Sequence, residues 1–187
     1  MEIFTASRRL ADSFRPDGGP LAIAEHGLIG DGFSCALVGV DGSISWMCLP
    51  RFDSPSVFAS VLDPERGGTC RVSPAREGYE SLQSYDDATA VLQTMFRRQG
   101  EGSVVVTDYM PWTEDRHSSV HEVHRLMEAR EGEMEMEIVF DPRFDYGRGE
   151  TRVHVADEGA VAEGPNGERL SISLGGGIRF EPRESGG

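Results

Sequence analysis

Residues 34–49 read SCALVGVDGSISWMCL, and the fold class turns on them. Two runs rich in β-formers flank Asp41-Gly42, a dipeptide that tolerates positive φ, so the segment predicts a β-hairpin. On the second arm Ile44, Trp46 and Cys48 share one face. Met47 and Leu49 load the other face near its end, which predicts that both sides are covered there. Working outward, ATAVLQTMFRR (88–98) and GSVVVTDYMPW (102–112) predict two more strands around the turn-prone QGEG, with Pro111 closing the second. EMEMEIVF (133–140) alternates: Met134, Met136, Ile138 and Phe140 face one way, and Glu133, Glu135 and Glu137 the other. Residues 151–182 continue as short strands between Gly, Asn and Pro turns. SSVHEVHRLMEAREG (118–132) has helix formers yet also alternates as a strand, and both assignments stay open. The sum is an antiparallel, all-β sandwich of about nine or ten short strands. Residues 1–20 read as an N-terminal extension, residues 21–187 as one domain, and the polar PRESGG ending as a frayed tail.

The chain has 187 residues, 38% of them hydrophobic, which suits one domain with a real core. With 18 Lys and Arg against 32 Asp and Glu, the formal net charge is −14. That charge repels nucleic-acid phosphates and anionic lipid. A neutral partner, such as a sugar or another protein surface, fits better. No stretch reads as a signal peptide or a membrane span, so a cytoplasmic location is expected. Cys35, Cys48 and Cys70 lie in or beside apolar runs with no CxxC spacing, and read as structural thiols.

The four letters PRFD occur at 50–53 and again at 142–145. A proline after a strand ends the ladder, and in the extended chain beyond it residues i and i+2 point the same way. Arg51 and Asp53 are thus expected to project together while Phe52 anchors in the core. Arg143, Phe144 and Asp145 repeat the pattern, followed by Tyr146. Both copies read as structural corners; the alternative is that one pair lines a polar cleft, where guanidinium and carboxylate suit sugar hydroxyls. As a pair of hydrolytic carboxyls, Asp53 and Asp145 are poor candidates, since an arginine two residues away lowers a carboxyl pKa and weakens a general acid. His117, His121 and His124 would share a stripe only on a helix, and Val120 and Val123 argue against one, so no metal site is expected. The GxSxG, HExxH, P-loop and Rossmann motifs are absent, and no cofactor is expected. GLIGDGFS reads as a loop with one exposed acid, Asp31.

The ordered series GLIGDG (27–32), DGSISWMCLPRFDSPSVFA (41–59), LDPERGG (62–68), TDYMP (107–111) and PRFDYGR (142–148) resembles the N-terminal domain of bacterial glycoside hydrolase family 15 proteins, the glucoamylase-like and trehalase-like enzymes. The resemblance is strong over residues 21–150. It implies a large, supersandwich-like β-domain, here incomplete at its C-terminus, followed in the family by an (α/α)6 barrel. That barrel carries the glutamate acid and base that invert the anomeric centre of α-glucosides. Those glutamates have no matching positions in residues 1–187, so the resemblance implies no catalytic residue here and no activity of the chain alone. It implies instead a fragment, or a truncated or split product, of an enzyme of carbohydrate metabolism. Such a domain packs on a barrel in cis or in trans and meets the α-glucoside only indirectly. Asp31, Arg51, Asp53 and Ser54 are then the candidates for the barrel-facing end, expected close together. An unpaired sheet edge predicts self-association or docking. The alternative reading is a free-standing carbohydrate-binding module with Trp112, Tyr109 and Tyr146 as its platform, or a truncated protein with only an assembly role.

Overall fold

The computed structural model describes residues 21–114, 120–156 and 158–176. The 1–20 extension, His117 and the PRESGG tail lie outside the described residues. Among the described residues thirteen strands follow a short 3-10 turn at Ile23–Glu25, more than the nine or ten expected. The excess lies before residue 86: a strand at His26–Gly30 takes in the first part of the stretch read as a loop, and Ser56–Phe58, Thr69–Pro74 and Glu80–Tyr85 add strands that no clear alternation announces.

The first sheet runs in the order β1 (His26–Gly30), β2 (Cys35–Gly39), β3 (Ser43–Cys48), β5 (Thr69–Pro74), β10 (Met136–Asp141), with β4 (Ser56–Phe58) on the end of β3. The second holds β6 (Glu80–Tyr85), β7 (Leu92–Arg98), β8 (Gly102–Tyr109) and β9 (His124–Gly132) in chain order. Every pairing is antiparallel. The ambiguous histidine-rich segment is therefore a strand from His124 onward. A third, separate sheet, β11 (Arg152–Ala156), β12 (Gly159–Glu163) and β13 (Arg169–Ser173), sets Ala162, Leu170 and Ile172 against the main core.

The 34–49 segment forms the expected hairpin, with Ala36 opposite Met47 and Leu37 opposite Trp46. A register shift after Leu37 leaves Ser45 without a partner on β2. This bulge lets Ile44 and Met47, three apart, both reach the interior at 2% exposure, so β3 is covered on both faces. The turn closes by Gly42 N–H donating to the Gly39 carbonyl, 2.9 Å. Gly42 has φ +79°, and a Cβ there would lie 2.0 Å from the Val72 carbonyl oxygen, so no other residue fits.

The two large sheets face each other across a core containing Ile29, Val38, Ile44, Met47, Leu92 and Phe58, with Phe96, Val106 and Val72 beside it. Polar staples join them. Gln83 on β6 donates to the Val38 carbonyl of β2, 3.2 Å, and Tyr85 bonds the backbone of Leu28 on edge strand β1. The Arg125 guanidinium of β9 grips both oxygens of the fully buried Asp108, 2.7 and 3.2 Å, and donates to the carbonyls of Gly42 and Cys70 across the sandwich. Burial pulls the arginine pKa down, but the adjoining carboxylate outweighs it and holds the pKa above its ordinary value.

EMEMEIVF pairs only from Met136, and its dry face is half covered. Met134, Met136 and Ile138, with Val104, Met127 and Ala129, line an open apolar cavity of about 280 Å³ at the seam between the edges of β9 and β10. Among the described residues no helix is long and apolar enough to cross a membrane.

Candidate functional site

The antiparallel order gathers the long connections at one end. The β1–β2 loop (31–34), the β3–β4 loop (49–55), the residues after β8 (110–114) and before β9 (120–123) and the chain after β10 (142–151) leave the sheets there, and the β4–β5 connection (59–68) returns to it at Arg66. These are the stretches that hold GDG, PRFDSPS, LDPERGG and PRFDYGR, while TDYMP runs out of the end of β8 into one of them. Short turns at 40–42 and 99–101 occupy the opposite end.

Asp31 begins this end, and it is buried at 2% exposure rather than the exposed acid its glycine-rich flanks suggest. Its Oδ1 accepts the backbone N–H groups of Phe33 and Ser34, 2.8 Å each, so the carboxylate folds back to close its own loop. Ser34 Oγ in turn donates to the Cys48 carbonyl, tying that loop to the end of β3. The remaining oxygen, Oδ2, has no hydrogen-bond partner and stands 3.5 Å from His121 Nδ1. His121 sits at φ +48°, an uncommon conformation for a non-glycine residue, with its ring edge-on to Phe33 at 5.8 Å. The Trp112 indole covers Gly32.

The first PRFD follows a cis Leu49–Pro50 bond. Phe52 N–H donates to the Phe33 carbonyl, 2.9 Å, which locks the PRFD loop beside the Asp31 loop. Arg51 and Asp53 do project together: Nε to Oδ1 is 2.8 Å and Nη2 to Oδ2 is 3.1 Å. The hydrogen bond from Arg51 holds the Asp53 carboxyl below the ordinary carboxylate range, so at neutral pH it has no proton to donate. Ser54 closes the turn, its N–H donating to the Arg51 carbonyl while its Oγ accepts from Arg51 N–H. Phe52 is not a core anchor. It is 68% exposed, on a turn closed by Ser54 N–H donating to the Arg51 carbonyl rather than on the extended chain expected.

The second PRFD differs. Phe144 is buried, as expected of an anchor, but Arg143 pairs with Asp141 at 2.8 Å rather than with Asp145. Asp145, Tyr146 and Gly147 all have positive φ, which turns the Asp145 carboxylate away to Arg148 at 3.6 Å. This corner docks on the strand just beyond the first copy: Arg143 N–H donates to the Val57 carbonyl and Tyr146 N–H to Ser56 Oγ. Gly147 abuts the Arg66 carbonyl, so LDPERGG joins the same cluster.

Asp31, Arg51, Asp53 and Ser54 thus share one end. Of the platform aromatics, Trp112 is 68% exposed, Tyr109 stacks on His124, and Tyr146 lies against Trp46 with Arg148 over its ring. Among the described residues no three His, Cys, Asp or Glu side chains are placed to hold a metal ion. His121 points at Asp31, and His124 at Glu122, 3.1 Å. The Asp31–His121 contact and the exposure of Phe52 were missed by sequence reasoning, because the first depends on how loops from different strands meet and the second on a turn in place of the extended chain.

The family model described as "Trehalase-like, N-terminal" matches residues 18–186. The trehalase of Thermoplasma volcanium is 33% identical over 176 residues, which cover 87% of this chain and 28% of that protein. Trehalase 2 of Sulfolobus acidocaldarius is 28% identical over 152 residues, covering 81% and 24%, and the trehalase of Mycolicibacterium smegmatis 29% over 161 residues, covering 78% and 23%. The chain spans about a quarter of the length of these relatives. No solved structure matches.

Proposed function

Since the chain belongs to the trehalase-like N-terminal domain family, we propose that it is the non-catalytic β-sandwich of an α-glucoside hydrolase of the family 15 type, acting in the cytoplasm. Its loop end, we infer, packs on a catalytic (α/α)6 barrel, in cis or in trans, and shapes the mouth of that barrel's active site. One observation carries the reading: the four motif loops meet at a single end, beside the chain that leaves β8, where a rigid antiparallel scaffold holds polar and aromatic groups at the surface.

The end is built to position rather than to hydrolyse. Asp53 is tied to Arg51 and deprotonated, and Asp31 spends one oxygen on its own loop, so neither is a general acid. The acid and base belong to the barrel; this domain supplies a fixed rim. The seam between the β9 and β10 edges, with its apolar cavity, is a second surface, suited to self-association or to docking by the rest of such an enzyme.

Trehalose hydrolysis tests the reading. The chain alone should release no glucose above the blank. Joined ahead of the remainder of the T. volcanium trehalase, in place of the matching portion, it should give an active enzyme. Glucose release by the chain alone that disappears in Asp53→Asn would overturn the proposal.

A further inference from the structure

We propose that the loop end is itself a contact site for a neutral carbohydrate, with Trp112 as the stacking platform and the Arg51–Asp53 pair and His121 as its hydrogen-bonding groups. Asp31 is the positioning residue that holds His121. The assignment rests on the loop end being the functional end, as proposed above, and adds the ligand class and the residues that meet it.

Four features converge. First, Trp112 and Phe52, both 68% exposed, stand on neighbouring loops, Trp112 over Gly32 and Phe52 bonded to the Phe33 backbone. Aromatic faces offered to solvent on rigid loops suit the C–H face of a pyranose ring. Second, Arg51 commits only Nε and one Nη2 proton to Asp53, and both residues are more than half exposed. A guanidinium has five N–H donors and a carboxylate about four lone-pair sites, so the pair still displays donors beside acceptors. Adjacent sugar hydroxyls, each donor and acceptor at once, match that array, and because the pair is neutral it does not select for charge.

Third, Asp31 Oδ2 is buried without a hydrogen-bond partner, at 3.5 Å from a histidine in a left-handed conformation. An under-satisfied buried carboxylate and a strained backbone both cost stability, and such costs concentrate where geometry serves a ligand. Here they hold the His121 ring, 31% exposed, against Phe33 on the loop that Trp112 covers. Fourth, a net charge of −14 disfavours anionic ligands, which leaves an uncharged sugar.

Isothermal titration calorimetry of the purified 1–187 chain tests this, with α,α-trehalose and maltose as ligands and sorbitol as a control that carries hydroxyls but no ring face. Saturable binding of a disaccharide is expected, with a Kd on the order of millimolar, and none of sorbitol. Trp112→Ala should weaken binding about 10-fold while keeping the parent Tm. Arg51→Ala and His121→Ala should each weaken it several-fold. For Asp31→Asn, NMR of the His121 ring nitrogens in the sugar-free chain should show an altered tautomer balance alongside weakened binding. A response that does not saturate, or Trp112→Ala and Arg51→Ala binding as tightly as the parent, overturns the site. Failure here is separable from failure of the preceding reading: a joined enzyme that hydrolyses trehalose while the chain binds no sugar rejects this site alone.

Discussion

Asp31 and Phe52 show what single residues can and cannot disclose. Aspartate among glycines reads as an exposed loop acid, yet Asp31 is buried because its own backbone supplies two donors at 2.8 Å. Phenylalanine reads as an anchor, which holds for Phe144 at 3% exposure and fails for Phe52 at 68%. Arg51 and Asp53 do pair, but across a turn closed by Ser54 N–H on the Arg51 carbonyl rather than along extended chain. Arg143 and Asp145 do not pair, because positive φ at Asp145 breaks the i, i+2 alternation. Two outcomes follow at this scale. Asp31→Ala removes the acceptor of two charge-assisted bonds and should cost about 1.5–3 kcal/mol in urea unfolding; a loss within error of zero would contradict the loop-closing role. The Asp53 carboxyl should titrate below the ordinary carboxylate range by NMR, and Arg51→Ala should move it back up. Because its folded pKa is depressed, whatever stability Asp53 adds is present above its unfolded pKa and fades as pH falls through the folded value. The pair is exposed, so that contribution is small.

Hairpins, alternation and breakers made most elements legible: β2, β3, β7 and β8 stand where the pattern of apolar runs and turn dipeptides set them. The bulge at Ser45 was not legible, since it depends on Ile44 and Met47 both finding the core. Nor was the β9 strand against a helix, which the pairing of Leu126 with Thr107 and Met127 with Val106 decides. Arg125, unremarkable in sequence, is the element that ties β9 through Asp108 to the opposite sheet. Arg125→Ala strands a fully buried carboxylate and should cost about 3–5 kcal/mol. Asp108→Asn combined with Arg125→Met should recover part of that loss, and an equal loss in the double variant would show that the ion pair itself is not what matters. Gly42→Ala should cost at least about 1–2 kcal/mol from its φ alone, with the Val72 carbonyl adding to it. Thermal unfolding of the variant checks this, and a Tm equal to the parent's would contradict the close approach.

At the scale of the molecule, antiparallel order makes the two ends unequal, with long loops at one and tight turns at the other. Sequence spacing carried the motifs but not their meeting, because loops separated by dozens of residues converge only once the sheets are paired. The apolar cavity at the seam of β9 and β10 required the half-covered methionines to be seen in place. The central claim is that the loop end serves a barrel. Its most direct measurement is kcat/KM for trehalose in the joined enzyme carrying Arg51→Ala and Asp53→Ala together, compared with Gln99→Ala at the opposite end. The account predicts a loss of about 10-fold or more for the loop-end pair, about 1.4 kcal/mol of transition-state stabilisation, and no change for Gln99→Ala. Equal kcat/KM in the two variants, at matched folding, would contradict it.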